Sequence, residues 1–125
     1  MERYLLRGVR GATTVTKDDA GLVVAATKEL LLAMLEQNQI IDFDLIASIF
    51  FTTSPDLSSA FPAEAARAVG MKHVALICSR EIPVEGSLEK AIRILMHYNS
   101  SKKQSEIKHV YLNDAKKLRP DLSGD

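Results

Sequence analysis

The residues most able to do chemistry are arginines in apolar surroundings. Arg7 and Arg10 interrupt the strand-like run YLLRGVRGATTV, residues 4–15, and a glycine follows each. Arg93 lies between Ile92 and Ile94, Arg119 between Leu118 and Pro120, and Arg67 in the alanine-rich EAARAVG. Glu81 comes just after the apolar HVALICS, and Tyr111 sits within HVYL. Taking a guanidinium out of water is costly unless a partner meets it. Its planar fork suits carboxylates, and its charge does not titrate away. Several such arginines with one carboxylate suggest a pocket for a small acidic ligand. Each arginine by itself reads equally well as a surface strand residue in a weak ion pair. Side chains alternate along a strand, so Arg7 and Arg10, three apart, point to opposite faces. Arg10 shares its face with Tyr4, Leu6 and Ala12. The two arginines therefore have different jobs, and the one at Arg7 is structural.

Other chemistries find less support. There is no GxGxxG or phosphate loop. His73, His97 and His109 are scattered and lack metal-ligand spacing, so no metal site is expected. Each reads as a strand-surface histidine. Cys78 has no histidine partner in a catalytic signature and reads first as a small buried residue. Basic and acidic residues balance at sixteen each, which gives no electrostatic case for nucleic acid. No apolar run approaches the roughly 20 residues of a membrane span. The chain starts with charge and runs straight into a strand-like segment, unlike a signal peptide. A single cysteine excludes an intrachain disulfide, and cytoplasmic residence is the expectation.

These side chains need a scaffold, and 125 residues suffice for one compact domain, 1–125, with a polar tail from about 115. After the first strand, Ala20, Val23, Val24, Thr27, Leu30, Leu31, Met34 and Leu35 recur at helical spacing. Thr16 with Asp19 supplies a helix-start pattern before them. DLIASIFFTTSPDL predicts a second strand, stopped by Pro55. SSAFPAEAARAVG predicts one or two helical turns ending at Gly70. KHVALICS predicts a third strand, and REIPVEGS a loop. LEKAIRILMHYN is ambiguous. Leu88, Ala91, Ile92 and Leu95 fit a helix stripe. Ile92, Ile94, Met96 and Tyr98 fit one strand face, with Arg93, Leu95 and His97 on the other. IKHVYLND predicts a last strand. The fold class is α+β, a mixed sheet with one long helix on it and short helical turns. The helix covers one sheet face, and a chain this short must cover the other with another subunit.

Four segments in order, RGVRGATTV, TTSPDLSSAFPAEAAR, CSREIPVEGSLEKAIRILMHYN and IKHVYLNDAKKLRPDLS, resemble the small single-domain chorismate mutases of the AroH class. The resemblance spans nearly the whole chain. It implies a homotrimer with a barrel-like (pseudo α/β-barrel) core and active sites at the subunit clefts. It implies a five-stranded sheet, and so favours a strand around Arg93. The implied activity is the cofactor-independent rearrangement of chorismate to prephenate, toward phenylalanine and tyrosine. That pericyclic step needs no nucleophile or metal. It gains from a folded substrate and from positive charge at the breaking ether oxygen. Carried over, Arg93 meets the ether oxygen and a carboxylate, and Arg10 holds a carboxylate. Glu81 accepts from the ring hydroxyl, and Tyr111 donates to a carboxylate. Leu76, Ile77 and Cys78 line the pocket. Phe61, Ala63 and Arg67 come from the neighbouring subunit, and Leu118 and Arg119 fold over the site. For Arg67 and Arg119 the alternative role is steering an anionic substrate. The competing reading is a trimeric ligand-binding or imine-processing protein that shares the fold.

Overall fold

In the computed structural model, which describes residues 3–118, ten-residue strands form the centre of a five-stranded sheet. The elements are β1 Leu5–Thr14, α1 Ala20–Gln37, β2 Ile46–Thr53, α2 Glu64–Ala68, β3 Ala75–Arg80, β4 Ala91–Ser100 and β5 Val110–Tyr111. Short 3-10 turns occupy Phe43–Leu45, Gln104–Glu106 and Asn113–Lys117. The strand order is β3-β2-β4-β1-β5. β4 runs antiparallel to both β1 and β2, while β1–β5 and β2–β3 are parallel. This is the mixed sheet expected.

The ambiguous segment is strand. Ile92, Ile94, Met96 and Tyr98 are buried on one face of β4, while Arg93, Leu95, His97 and Asn99 alternate on the other. β-branched residues at period two fit a pleated surface. The long ladders offered by β1 and β2 on either side decide the matter against a helix.

α1 begins one turn later than the Thr16 pattern proposes. Asp19 is the N-cap, and its carboxylate accepts from the Leu22 N–H at 3.0 Å. The helix buries Val23, Thr27, Leu30, Leu31, Met34 and Leu35 against the sheet. Ala20 stays exposed. The contact is close at Gly11, where an added Cβ would stand 3.1 Å from Leu30 Cδ1 and would also meet Met34. The helix therefore covers the face that carries Val9, Gly11, Ile94, Met96, Ile49 and Phe51.

Much of the opposite face has no cover among the described residues, although Ala12 and Tyr111 on it are buried with Ala115 and Leu118. Leu6, Phe50, Ile77 and Leu95 stand exposed there, Phe50 at 47 % and Ile77 at 57 %. Arg7 faces the helix side, and its Nε–H donates to the Lys102 carbonyl at 2.7 Å. That bond is the structural partner which the sequence leaves unnamed. Past β5, the start of the polar tail packs on the sheet. Ala115 is fully buried against Ala12 and Tyr111, and the 3-10 turn carries order through Lys117.

Candidate active site

The open face of the sheet carries a row of side chains set by strand register. Ala12 pairs with Arg93, Arg93 with Thr52, and Thr52 with Ser79; on the far side Ala12 pairs with Tyr111. Residues opposite each other share a face, so Thr52, Arg93, Ala12 and Tyr111 line one side. Arg93 and Tyr111 lie two strand spacings apart, roughly 10 Å. That separation suits a small ligand with groups at both ends.

Glu81 joins this row from just past the end of β3. Its backbone N–H bonds to the Thr53 carbonyl at 2.9 Å, which continues the β2–β3 pairing by one residue. Its carboxylate Oε2 accepts from Thr52 Oγ1 and stands 3.7 Å from Arg93 Nε. That is an ion pair but too long for a hydrogen bond. Arg93 Nε is buried, and it has no hydrogen-bond acceptor among the described residues. The Tyr111 hydroxyl is likewise buried without a partner among the described residues. Polar atoms out of water are nearly always bonded, so two such donors on one face mark a place made for acceptors.

Glu81 and Arg93 line a cleft of about 280 Å³ with Ser54, Asp56 and the 82–89 loop. One wall is held by Asp56. Its carboxylate accepts the Lys90 N–H at 2.9 Å and a bond from Ser54 Oγ at 2.5 Å. Lys90 sits at φ +48°, a left-handed conformation that this pairing stabilises. Partial desolvation pushes the Asp56 carboxyl up. The Ser54 and Lys90 bonds outweigh it, and the group ends below its ordinary value of 3.8. Arg80 donates to the Pro55 carbonyl at 2.8 Å and so braces the same turn.

Arg10 lies one pleat along from Ala12, opposite Leu95, on the same face as Arg93. Its backbone N–H bonds to His109 Nδ1, and its guanidinium has no hydrogen bond among the described residues. It does not line the Glu81–Arg93 cleft. Leu118 and Leu88 pack against Ala12, Tyr111 and Ala115, which brings Leu118 to the edge of the row. Arg119 lies outside the described residues.

The remaining expected residues are elsewhere in the same chain. Cys78 pairs with Phe51 on the helix-facing side, so its side chain points away from Arg93. It lines a second cleft of about 510 Å³ with Phe61, Pro62, Glu64 and Arg80. Arg67 and Leu76 line a third beside it, with Met71, Lys72 and Val74. Phe61 is 68 % exposed there. The loop before Phe61 is tied to the start of α1. Asp18 accepts from the Ser58 and Ser59 N–H groups, and bonding from Ser59 and Ser58 holds its carboxyl below the usual range. Ala63 is buried at 4 % in the main core and lines none of these clefts. Ile77 points to the open face beside Phe50, opposite in direction to Leu76 and Cys78. The expected site thus divides into two sets within one chain. Glu81, Arg93, Tyr111, Leu118 and Arg10 form one; Phe61, Arg67, Leu76 and Cys78 form the other. Thr52 was not singled out from the sequence. Alternation alone separates it from Phe51, but only the register puts it opposite Arg93.

Among the described residues, no group of three or more His, Cys, Asp or Glu could hold a metal ion, and no helix is long and apolar enough to cross a membrane. Residues 6–122 match the family model described as chorismate mutase type I. The chain is 50 % identical over 118 residues to chorismate mutase AroH of Thermus thermophilus, covering 94 % of this chain and 97 % of that protein. It is 40 % identical over 120 residues to chorismate mutase AroH of Bacillus subtilis, covering 95 % and 94 %. A solved chorismate mutase from Clostridium thermocellum is similar in fold, with a TM-score of 0.86 and 52 % identity, over 89 % of this chain and 98 % of that one.

Proposed function

The chain belongs to the chorismate mutase type I family, and from that premise we propose that two subunits of a homotrimer share each active site. The enzyme rearranges chorismate to prephenate, a step of aromatic amino acid biosynthesis. One C–O bond breaks and one C–C bond forms within the same molecule, and no proton changes hands. The protein's work is to hold the enolpyruvyl arm over the ring and to meet the charge that develops as the ether opens.

The observation that carries the assignment is the pair of buried donors, Arg93 Nε and Tyr111 OH, that have no acceptor among the described residues and lie on one sheet face. Arg93 donates to the ether oxygen as it becomes negative, and to the neighbouring carboxylate. Tyr111 donates to a carboxylate at the other end. Arg10, from the next pleat, holds a carboxylate and helps keep the substrate folded. Glu81 accepts from the ring hydroxyl through the oxygen that Thr52 does not occupy. Leu118 closes over the apolar edge, with Arg119 following it. The second set, Phe61, Arg67, Leu76 and Cys78, with Ala63 behind Phe61, is supplied by a neighbouring copy, and Ile77 lines the pocket from the open face. Arg67 stands at the entrance.

Two features support the trimer. The open sheet face presents Leu6, Phe50, Ile77 and Leu95 with no cover among the described residues. Glu81 and Arg93 line one cleft, Phe61 and Cys78 a second, and Arg67 and Leu76 a third, so none of these clefts by itself gathers the expected residues. A one-domain cytoplasmic protein is part of the same proposal, supported by a chain length near the usual domain size and by a single cysteine.

Subunit complementation tests the shared site. Arg93→Ala and Phe61→Asp proteins are each expected to be nearly inactive. The first lacks the cation, and the second sets a carboxylate against a dianionic substrate. Unfolded together and refolded, they form mixed trimers in which some clefts combine two intact halves, and activity returns. No recovery in verified mixed trimers overturns the shared site.

A further inference from the structure

We propose that the Thr52 hydroxyl is a positioning group that holds Glu81 out of a closed ion pair with Arg93; the inference rests on the roles given above to Glu81 and Arg93. Two contacts converge on a single oxygen. Thr52 Oγ1 donates to Glu81 Oε2. That same Oε2 stands 3.7 Å from Arg93 Nε, just beyond hydrogen-bond reach. Arg93 Nε is buried and has no acceptor among the described residues. A buried guanidinium N–H beside a carboxylate normally closes the gap, because a charge-assisted bond is among the strongest available. Here the hydroxyl bond fixes where Oε2 stands, and the gap stays open.

The scaffold makes this geometry durable. Thr52 is the direct cross-strand partner of Arg93, so the two side chains rise side by side from neighbouring strands. The base of Glu81 is pinned to β2 by the bond from its N–H to the Thr53 carbonyl at 2.9 Å. Glu81 can therefore choose its partner only by turning its own side chain, and Thr52 decides the outcome. Two consequences follow for the reaction. The Arg93 Nε–H stays available for the ether oxygen instead of being spent on Glu81. An ionised carboxylate has about four acceptor positions on two oxygens. Occupying Oε2 therefore leaves Oε1 oriented for the ring hydroxyl. Removing the hydroxyl lets Glu81 close on Arg93 and withdraws both groups from the substrate.

The charge that Arg93 meets exists fully only in the transition state, so the loss falls on kcat more than on KM. The test is steady-state chorismate turnover by the assembled enzyme in four forms: Thr52→Val, Thr52→Ser, Glu81→Gln, and Thr52→Val with Glu81→Gln. Thr52→Val is expected to lower kcat about tenfold, with KM within about threefold. Thr52→Ser, which keeps the donor, is expected to stay within about threefold of the wild type. In the Glu81→Gln background, Thr52→Val is expected to cost less than about twofold more, because residues acting as one unit are not additive. Thr52→Ala is read by the same thresholds if valine disturbs assembly. The proposal is overturned if Thr52→Val keeps at least half the turnover, if serine fails to restore it, or if the loss is equally large beside Glu81→Gln. If Glu81→Gln is impaired and Thr52→Val is not, the positioning role alone falls. If Glu81→Gln itself turns over like the wild type, the assignment of Glu81 falls, and the role of Thr52 with it.

Discussion

Arg93→Lys separates catalysis from stability. The substitution keeps a cation near Glu81 but replaces a planar fork by a point charge on a flexible stem. The folding cost is small. At the 3.7 Å Nε–Oε2 distance, Coulomb's law gives about 4 kcal/mol at an effective dielectric constant of 20 and about 1 kcal/mol in water. Both side chains are about a third exposed, at 33 % and 30 %, which draws the value toward the lower figure. Lysine retains much of that attraction, so stability should change by less than about 1 kcal/mol. The melting temperature should then move by less than about 5 °C. The catalytic cost is larger, because only the Nε–H fork is aimed where charge develops. Losing one preorganised donor typically costs about 2.7 to 4 kcal/mol of barrier, or 100- to 1000-fold in kcat. The assay follows the loss of chorismate absorbance under saturating substrate, alongside a thermal melt of the same sample. Turnover within threefold of the wild type would refute the assignment of Arg93. A loss of stability as large as the loss of activity would refute the claim that the residue acts on the reaction.

Tyr111→Phe should leave the unliganded protein as stable or slightly more so, since the hydroxyl it removes is buried without a partner among the described residues. Prephenate binding, measured by calorimetry, should weaken by about tenfold, and an unchanged affinity would remove Tyr111 from the site. Phe50→Asp places a charge on the open sheet face, where Phe50 is 47 % exposed and its ring meets His97 edge-on at 5.7 Å. Sedimentation should show loss of the trimer together with loss of activity, and an intact trimer would argue that this face is not the interface. Asp56→Asn tests the cleft wall by pH. The folded carboxyl titrates below its ordinary 3.8, so its contribution is complete above that value and is lost as pH falls through the lower folded value. Urea titrations should therefore find the variant less stable than the wild type at pH 7, with the difference fading below pH 3.8; a gap that persists in acid would contradict the bonding.

Much of this site was legible in the chain. Arginines placed among apolar residues, a glutamate just after an apolar strand and a tyrosine in another strand pointed to an anionic ligand before any fold was known. The family pattern gave each a role. Period two settled that Arg7 and Arg10 diverge, and the structure bears this out, with Arg7 bonded to Lys102 on the helix side and Arg10 on the open face. Ala63 shows what a local pattern leaves open. It follows Phe61 by two residues, yet its own methyl is in the core, where it serves as the N-cap residue of α2.

Local chemistry determined the chain's other strands, its long helix and the alternation of side chains along those strands, because these depend on neighbours two to four residues away. The tertiary structure alone decided which residues meet. β4 could be read as helix or strand until β1 and β2 supplied ladders on both sides. Thr52, Glu81 and Arg93 are 12 to 41 positions apart in sequence, and only the β2–β3 and β2–β4 registers bring them to one oxygen. A shift of one residue would turn each side chain to the other face. Register belongs to the pairing of strands, and no single segment carries it.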